Sequence, residues 1–141
     1  MNELLFRAIE IATKAHDGQT DKSGMPYIGH IMRVMNAGKT IDEKIVGVLH
    51  DIVEDTEWSF DALLKEGFPI HIVDAIKCVT RLTNDEPYED FIRRIKENSL
   101  ATAVKINDLT DNMDIRRLKE ISDKDVKRLK KYHRAYKFLI E

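Results

Sequence analysis

Residues 42–56 read Asp-Glu-Lys-Ile-Val-Gly-Val-Leu-His-Asp-Ile-Val-Glu-Asp-Thr. Ile45, Val46, Val48, Leu49, Ile52 and Val53 recur at the three- and four-residue spacing of one helix face. That spacing predicts a helix that starts near Asp42 and runs through the stretch. Set into it are His50, Asp51, Glu54 and Asp55. Neighbours on a helix stand about 100° apart, so His50 and Asp51 can approach one point from adjacent angles. One turn on, Glu54 lies over His50 and Asp55 over Asp51. Asp51, Glu54 and Asp55 crowd like charges into one turn, which destabilises a helix unless a cation or solvent relieves it. The segment reads either as a divalent-cation site or as a solvated acidic face on an amphipathic helix.

The helical period extends to both sides. Asn2 is placed to cap a helix carrying Leu4, Leu5, Ala8, Ile11, Ala12 and Ala15, which Asp17-Gly18 ends. Residues 17–27 form a polar loop, long enough to suggest a functional one. A second helix covers about 28–38. Ser59 caps a short helix that stops at Gly67. Pro69 and Pro87 suit the first turns of two more helices. Ser99 begins another, through Leu100, Ala103, Val104, Ile106 and Leu109. Ser122 with Asp125 resembles a capping box, with Asp in place of the usual Glu or Gln, and opens a last helix to about residue 140. No run alternates strictly enough for a strand. The fold class is therefore all-α, a compact multi-helix domain. The 141 residues, without repeat or linker, are read as one domain over 1–141.

Composition excludes several functions. The lone cysteine, Cys78, rules out a disulfide framework and a cysteine-rich zinc site, and reads as a small buried hydrophobe. With 43% hydrophobic and 34% charged residues and a net charge of −2, nothing suggests a global basic field for nucleic acid. Charges interrupt every apolar stretch, and the N-terminus lacks the form of a signal peptide, so a cytoplasmic protein without a membrane span is expected. Between Arg116 and Lys137 there are ten Lys or Arg and three Asp or Glu. Val126, Leu129, Tyr132, Tyr136 and Leu139 give that helix an apolar side, so its cations read as a solvated face, and nucleic acid is not an expected partner. Homo-oligomerisation stays open. Trp58 reads as a core or loop anchor.

Two further positions bear on the metal reading. His30 follows Pro26-Tyr27-Ile28-Gly29 after the polar loop. Asp108 interrupts the nearly apolar face of Val104–Leu109. With His50 and Asp51 they form a mixed N/O set that suits Mn²⁺, Fe²⁺, Co²⁺, Ni²⁺ or Zn²⁺ rather than Ca²⁺. His16, His71 and His133 read as ordinary core or surface histidines.

In this order the pieces resemble the HD-domain pyrophosphohydrolases of the stringent response. That family includes the hydrolase half of the bifunctional Rel/SpoT enzymes and the small alarmone hydrolases. Its first motif is similar to Ala15-His16-Asp17-Gly18-Gln19 followed by Lys22-Ser23-Gly24-x-Pro26-Tyr27-Ile28-x-His30. Its second is similar to Leu49-His50-Asp51-x-Val53-Glu54-Asp55-Thr56. Its third resembles Val104-Lys105-Ile106-x-Asp108, with Asn112 four residues on. The resemblance covers residues 1 to about 115. It implies an α-helical HD domain and a metal, usually Mn²⁺, held by His30, His50, Asp51 and Asp108. It implies that Glu54 and Asp55 act on the nucleophilic water. It implies a small-molecule nucleotide substrate: hydrolysis of the 3′-diphosphate of ppGpp or pppGpp to GDP or GTP and pyrophosphate. Lys22, in a loop expected to be flexible, could reach a second phosphate as a point charge. Asn112, one turn past Asp108, could donate to a ribose or phosphate oxygen. The chain departs from the family at Asp21, where an arginine usually precedes the loop lysine. It departs again at Ile31 after His30, and at Leu109 and Asp111 before Asn112. Those departures touch base recognition more than the metal set, and leave open another nucleotide or a non-catalytic, nucleotide-binding sensor.

Overall fold

Short polar residues fix where the helices begin. The computed structural model describes residues 2–141. It carries α1 (Glu3–Ala15), α2 (Ile28–Ala37), α3 (Ile41–Leu49), α4 (Ile52–Asp55), α5 (Phe60–Lys65), α6 (Ile70–Val79), α7 (Tyr88–Lys96), α8 (Ser99–Asn112), a 3-10 turn (Ile115–Arg117) and α9 (Asp123–Ile140). No strand forms among the described residues. Ahead of α3 the Thr40 hydroxyl accepts from the Glu43 amide at 3.1 Å. Ahead of α5 Ser59 accepts from Ala62 at 3.1 Å, and ahead of α8 Asn98 accepts from Ala101 at 2.8 Å. Each cap satisfies an amide that the first turn leaves without a partner. Ser122 and Asp125 make both bonds of the capping box that opens α9. Pro69 and Pro87 directly precede α6 and α7. Asn2 differs from expectation: its side chain caps nothing, and its carbonyl accepts from the Phe6 amide at 3.1 Å.

The helix read as continuous through residue 55 is broken at His50-Asp51 into α3 and α4. The His50 ring nitrogen Nδ1 lies 2.6 Å from the Gly47 carbonyl oxygen, the acceptor that a continuing helix would offer to the Asp51 amide. Asp51 takes φ −105° and ψ 2°. The next turn resumes with Asp55 N–H donating to the Asp51 carbonyl at 3.0 Å. The apolar pattern runs on across the break because Leu49 and Ile52 are both fully buried.

α3 lies at the centre, packed on α1, α2, α6 and α8, while α8 packs on α2, α3, α6, α7 and α9. α2, α3 and α8 therefore touch pairwise. Ile31, Val34, Val46, Leu49, Val104 and Leu109 fill the space where they meet. Burying a side chain of this size contributes about 1.5–3 kcal/mol. Gly47 lets the backbones close up: a Cβ there would stand 3.2 Å from both Met35 Cα and the Val34 carbonyl oxygen. On α9 Ala135 and Leu139 turn inward, and Lys96 donates to the Phe138 carbonyl at 2.7 Å, tying α7 to α9. Cys78 is half-buried. No helix among the described residues is long and apolar enough to cross a membrane.

Loop 17–27 is built rather than loose. A bridge pairs Thr20 with Pro26. The Asp21 carboxylate accepts from the Ser23 and Met25 amides, each at 2.9 Å, and Gly24 supplies the turn at φ +80°. Ser23 Oγ donates to the Arg117 carbonyl at 3.2 Å, fastening the loop to the segment after α8.

Candidate metal centre and active site

The mutual packing of α2, α3 and α8 brings His30, the His50-Asp51 junction and Asp108 to one corner. His30, His50 and Asp51 can each offer one ligand atom, all within 4.8 Å of one another. Asp108 Oδ1 lies 3.0 Å from His30 Nε2 and 3.3 Å from His50 Nε2. Asp51 Oδ2 lies 3.1 Å from His50 Nε2 and 3.9 Å from His30 Nε2.

The far side of each imidazole decides what its near side can do. The Gly47 carbonyl can only accept, so the ring proton of neutral His50 sits on Nδ1. His30 Nδ1 lies 2.6 Å from Asp111 Oδ2, with the same consequence. In the neutral rings both Nε2 atoms are then bare lone pairs. Both are buried, and the carboxylates beside them stand off the angles of a hydrogen bond, so neither has a partner. Two orphaned imidazole nitrogens and two carboxylate oxygens around one point fit a divalent transition-metal ion.

Electrostatics agree with that fit. Burial opposes a proton on either imidazole. The Asp108 and Asp111 carboxylates outweigh it at His30, and Asp51 and Asp108 outweigh it at His50, so both titrate above the ordinary histidine value. Burial likewise works against the Asp108 carboxylate, yet Lys105 and His50 hold it well below the usual range. Lys105 Nζ donates to Asp108 Oδ2 at 2.9 Å, and Asn112 Nδ2 donates to Oδ1 at 3.0 Å. His50, with help from the Tyr27 hydroxyl, holds Asp51 low against its burial. Tyr27 donates to Asp51 Oδ2, and burial together with that carboxylate drives the phenol far above its usual range, so it keeps its proton.

The first and second motifs interlock here. The His16 ring stands 5.7 Å from the Tyr27 ring, and its Nδ1 lies 2.8 Å from Gln19 Oε1. Gln19 Nε2 donates to the Asp55 carbonyl at 3.1 Å. His16 is fully buried and its Nε2 has no partner, so it departs from the reading of an ordinary core histidine. Its place in the first motif was the available signal. His71 does fit the plain reading, exposed and 3.0 Å from Asp42.

Glu54 and Asp55, on the turn of α4 that follows the His50-Asp51 junction, are open to solvent. Glu54 accepts from the Arg81 amide, and partial burial raises its carboxyl. Burial and the like charges of Asp51 and Glu54 push Asp55 up to about 6. Lys22 stands away from the metal corner, whereas Asn112 touches it through Asp108. They line an adjoining cavity of about 130 Å³, with Asp21, Arg117, Arg128 and Tyr132. A larger groove of about 590 Å³, between α7 and α9, is lined by none of these residues. Lys105, Asp111 and Tyr27 complete the site, yet their parts depend on partners that the sequence does not reveal.

No protein-family model matches the chain. It is 31% identical over 121 residues, 78% of its length, to a probable GTP pyrophosphokinase of Mycobacterium leprae. It is 39% identical over 82 residues, 55% of its length, to a guanosine-3′,5′-bis(diphosphate) 3′-pyrophosphohydrolase of Borreliella burgdorferi. An enzyme of the same name from Haemophilus influenzae is 30% identical over 117 residues, 73% of this chain. The chain spans only 15%, 12% and 17% of these relatives' own lengths. A solved structure described as a metazoan ortholog of SpoT that hydrolyses ppGpp superposes with a TM-score of 0.81 at 19% identity, covering 99% of this chain and 86% of that one. The chain belongs to the HD-domain (p)ppGpp pyrophosphohydrolase family. The fold is the all-α HD fold of that neighbour. Against the family pattern, the two departures with a visible structural task are Asp21, which organises the loop, and Asp111, which backs His30.

Proposed function

We propose that residues 1–141 act as one metal-dependent hydrolase domain, removing the 3′-diphosphate of ppGpp or pppGpp to give GDP or GTP and pyrophosphate. The observation that carries the reading is the pair of buried, partnerless Nε2 atoms of His30 and His50, facing Asp51 and Asp108.

In this reading His30, His50, Asp51 and Asp108 hold the cation, with Mn²⁺ as the native ion. When bound, it supplies Lewis acidity that acidifies water and offsets phosphoryl charge. The chain's own groups do the rest. Asp55, with a pKa of about 6, is ionised at neutral pH and basic enough to draw a proton from the attacking water. Glu54, fixed by the Arg81 amide, orients that water. Water adds at the phosphorus attached to the ribose 3′ oxygen, that P–O bond breaks, the 3′ oxygen leaves with a proton and pyrophosphate departs. Lys22 and Arg128 offer positive charge to phosphates in the adjoining cavity, and Asn112 spans that cavity and Asp108. We place the reaction in the cytoplasm.

Asp21 favours a second reading for the substrate alone. Its carboxylate lines the cavity wall and is already engaged by two amides, so it offers no flat cation for a purine to stack on. Another nucleotide would use the same machinery. Purified protein incubated with Mn²⁺ and ppGpp, pppGpp, NADPH or deoxynucleotides tests both. Pyrophosphate released from ppGpp, and absent with Asp51→Ala, is the expected result. Turnover of another nucleotide alone would keep the chemistry and replace the substrate. No turnover with metal bound would favour a sensor.

A further inference from the structure

Asp111 lies one turn past Asp108 on α8, and its carboxylate gathers three side chains, two from α2 and one from the segment after α8. Oδ2 stands 2.6 Å from His30 Nδ1 on α2. Oδ1 accepts from Arg33 Nε, also on α2, at 2.7 Å. Arg117, beyond α8, reaches Oδ1 and Oδ2 at 3.4 Å each and the Asp111 carbonyl at 3.0 Å. The side chain is 10% exposed. A carboxylate gripped from both sides cannot swing, so the imidazole it faces cannot turn either.

The two histidines of the corner are therefore backed differently. His50 leans on a neutral carbonyl, His30 on a full negative charge. A charged acceptor forms the shorter and stronger bond, and pushes electron density through the ring to the opposite nitrogen.

We propose that Asp111 is a positioning residue for the metal site. It locks His30 in the Nδ1-protonated form, aims Nε2 at the cation and makes His30 the stronger of the two imidazole donors. This rests on the metal reading above, and touches no substrate atom.

The test uses Asp111→Ala, which removes acceptor and charge, and Asp111→Asn, which keeps the shape and an acceptor but loses the charge. Mn²⁺ affinity is measured by calorimetry on the full chain, with thermal unfolding as a check that each variant is folded. Affinity should fall by about 10–100-fold in Asp111→Ala, with Asp111→Asn in between. Imidazole ¹⁵N resonances of the metal-free protein, recorded at a pH alkaline enough to leave His30 neutral and with His30 assigned through His30→Gln, should show one tautomer in the wild type and a mixture in Asp111→Ala. Co²⁺-loaded protein should show an altered visible spectrum in both variants. Unchanged Mn²⁺ affinity in the two folded variants, or an unchanged His30 tautomer, would overturn the proposal while leaving the metal reading intact. A wild-type chain that binds no Mn²⁺ would overturn both.

Discussion

The metal corner and the cavity beside it solve different problems with the same residue types. At the corner the charged groups are buried or half-buried, and each is held by a neighbour. Asp108 takes Lys105 on one oxygen and Asn112 on the other, His50 leans on Gly47, and Asp51 takes the Tyr27 hydroxyl. In the cavity the charges pair locally, within a few residues along the chain. Arg128 is bonded to Asp125 three residues earlier on α9, and Asp21 closes a turn within its own loop. Buried pairs lose heavily when one partner goes, whereas exposed pairs lose little. The corner should thus tolerate no change, and the cavity should accept substitutions that alter what binds.

The sharpest way to break that contrast is to cut the corner. Asp108→Ala strands Lys105, whose side chain is 12% exposed. It should abolish Mn²⁺ binding and turnover, and cost about 3 kcal/mol in urea unfolding. A variant that unfolds at the wild-type urea midpoint would refute the account of Lys105. Next come the carboxylates of α4. Glu54→Gln and Asp55→Asn should keep the metal, measured by calorimetry, and lose about 10²–10⁴-fold in kcat. In the cavity, Lys22→Ala and Arg128→Ala should raise KM by about tenfold, nearer unity at high salt, with kcat nearly unchanged. An equal loss in kcat would mean that the cavity takes part in the chemistry.

Asp55 also links the two regions through pH. Its carboxyl titrates near 6 in the folded chain, above its unfolded value near 3.9, so the folded state binds the proton more tightly in that window. Stability of the metal-free protein therefore falls as pH rises from about 4 to about 6, and the deficit persists above. Asp55→Asn removes it, and in EDTA at pH 7 should be more stable than wild type by roughly 1 kcal/mol, allowing for solvent screening. The difference should vanish near pH 4. Turnover of the wild type should rise with pH through about 6 as this group ionises. The smallest effect belongs to Gly47→Ala. The gain in helix propensity, about 1 kcal/mol, is outweighed by pressing a Cβ onto the α2 backbone, for a net loss of about 1 kcal/mol in thermal unfolding.

What the sequence made legible follows the range of the interaction. Ser59, Pro69, Pro87 and the Ser122–Asp125 box act within three residues and could be read directly. The four candidate ligands, which the fold brings to one corner, stood out in the sequence because polar groups are costly in an apolar face. The break at His50-Asp51 was hidden, because a side chain that takes a backbone acceptor leaves no trace in an apolar pattern that continues past it. Asp111 looked like a departure, because its task is set by His30, 81 residues away in the chain. Tyr27 and Lys105 were visible only as motif letters, since what they do is hold Asp51 and Asp108.

The donors of the corner come from three helices that are far apart in the chain and meet through apolar packing. A cation seated among them would be a removable cross-link, absent from the unfolded chain. Each tenfold rise in free metal above its dissociation constant would then add about 1.4 kcal/mol to folding. The same ion that equips the site for chemistry would decide how long the molecule survives heat and proteases. A cell short of metal would lose the protein as well as its activity.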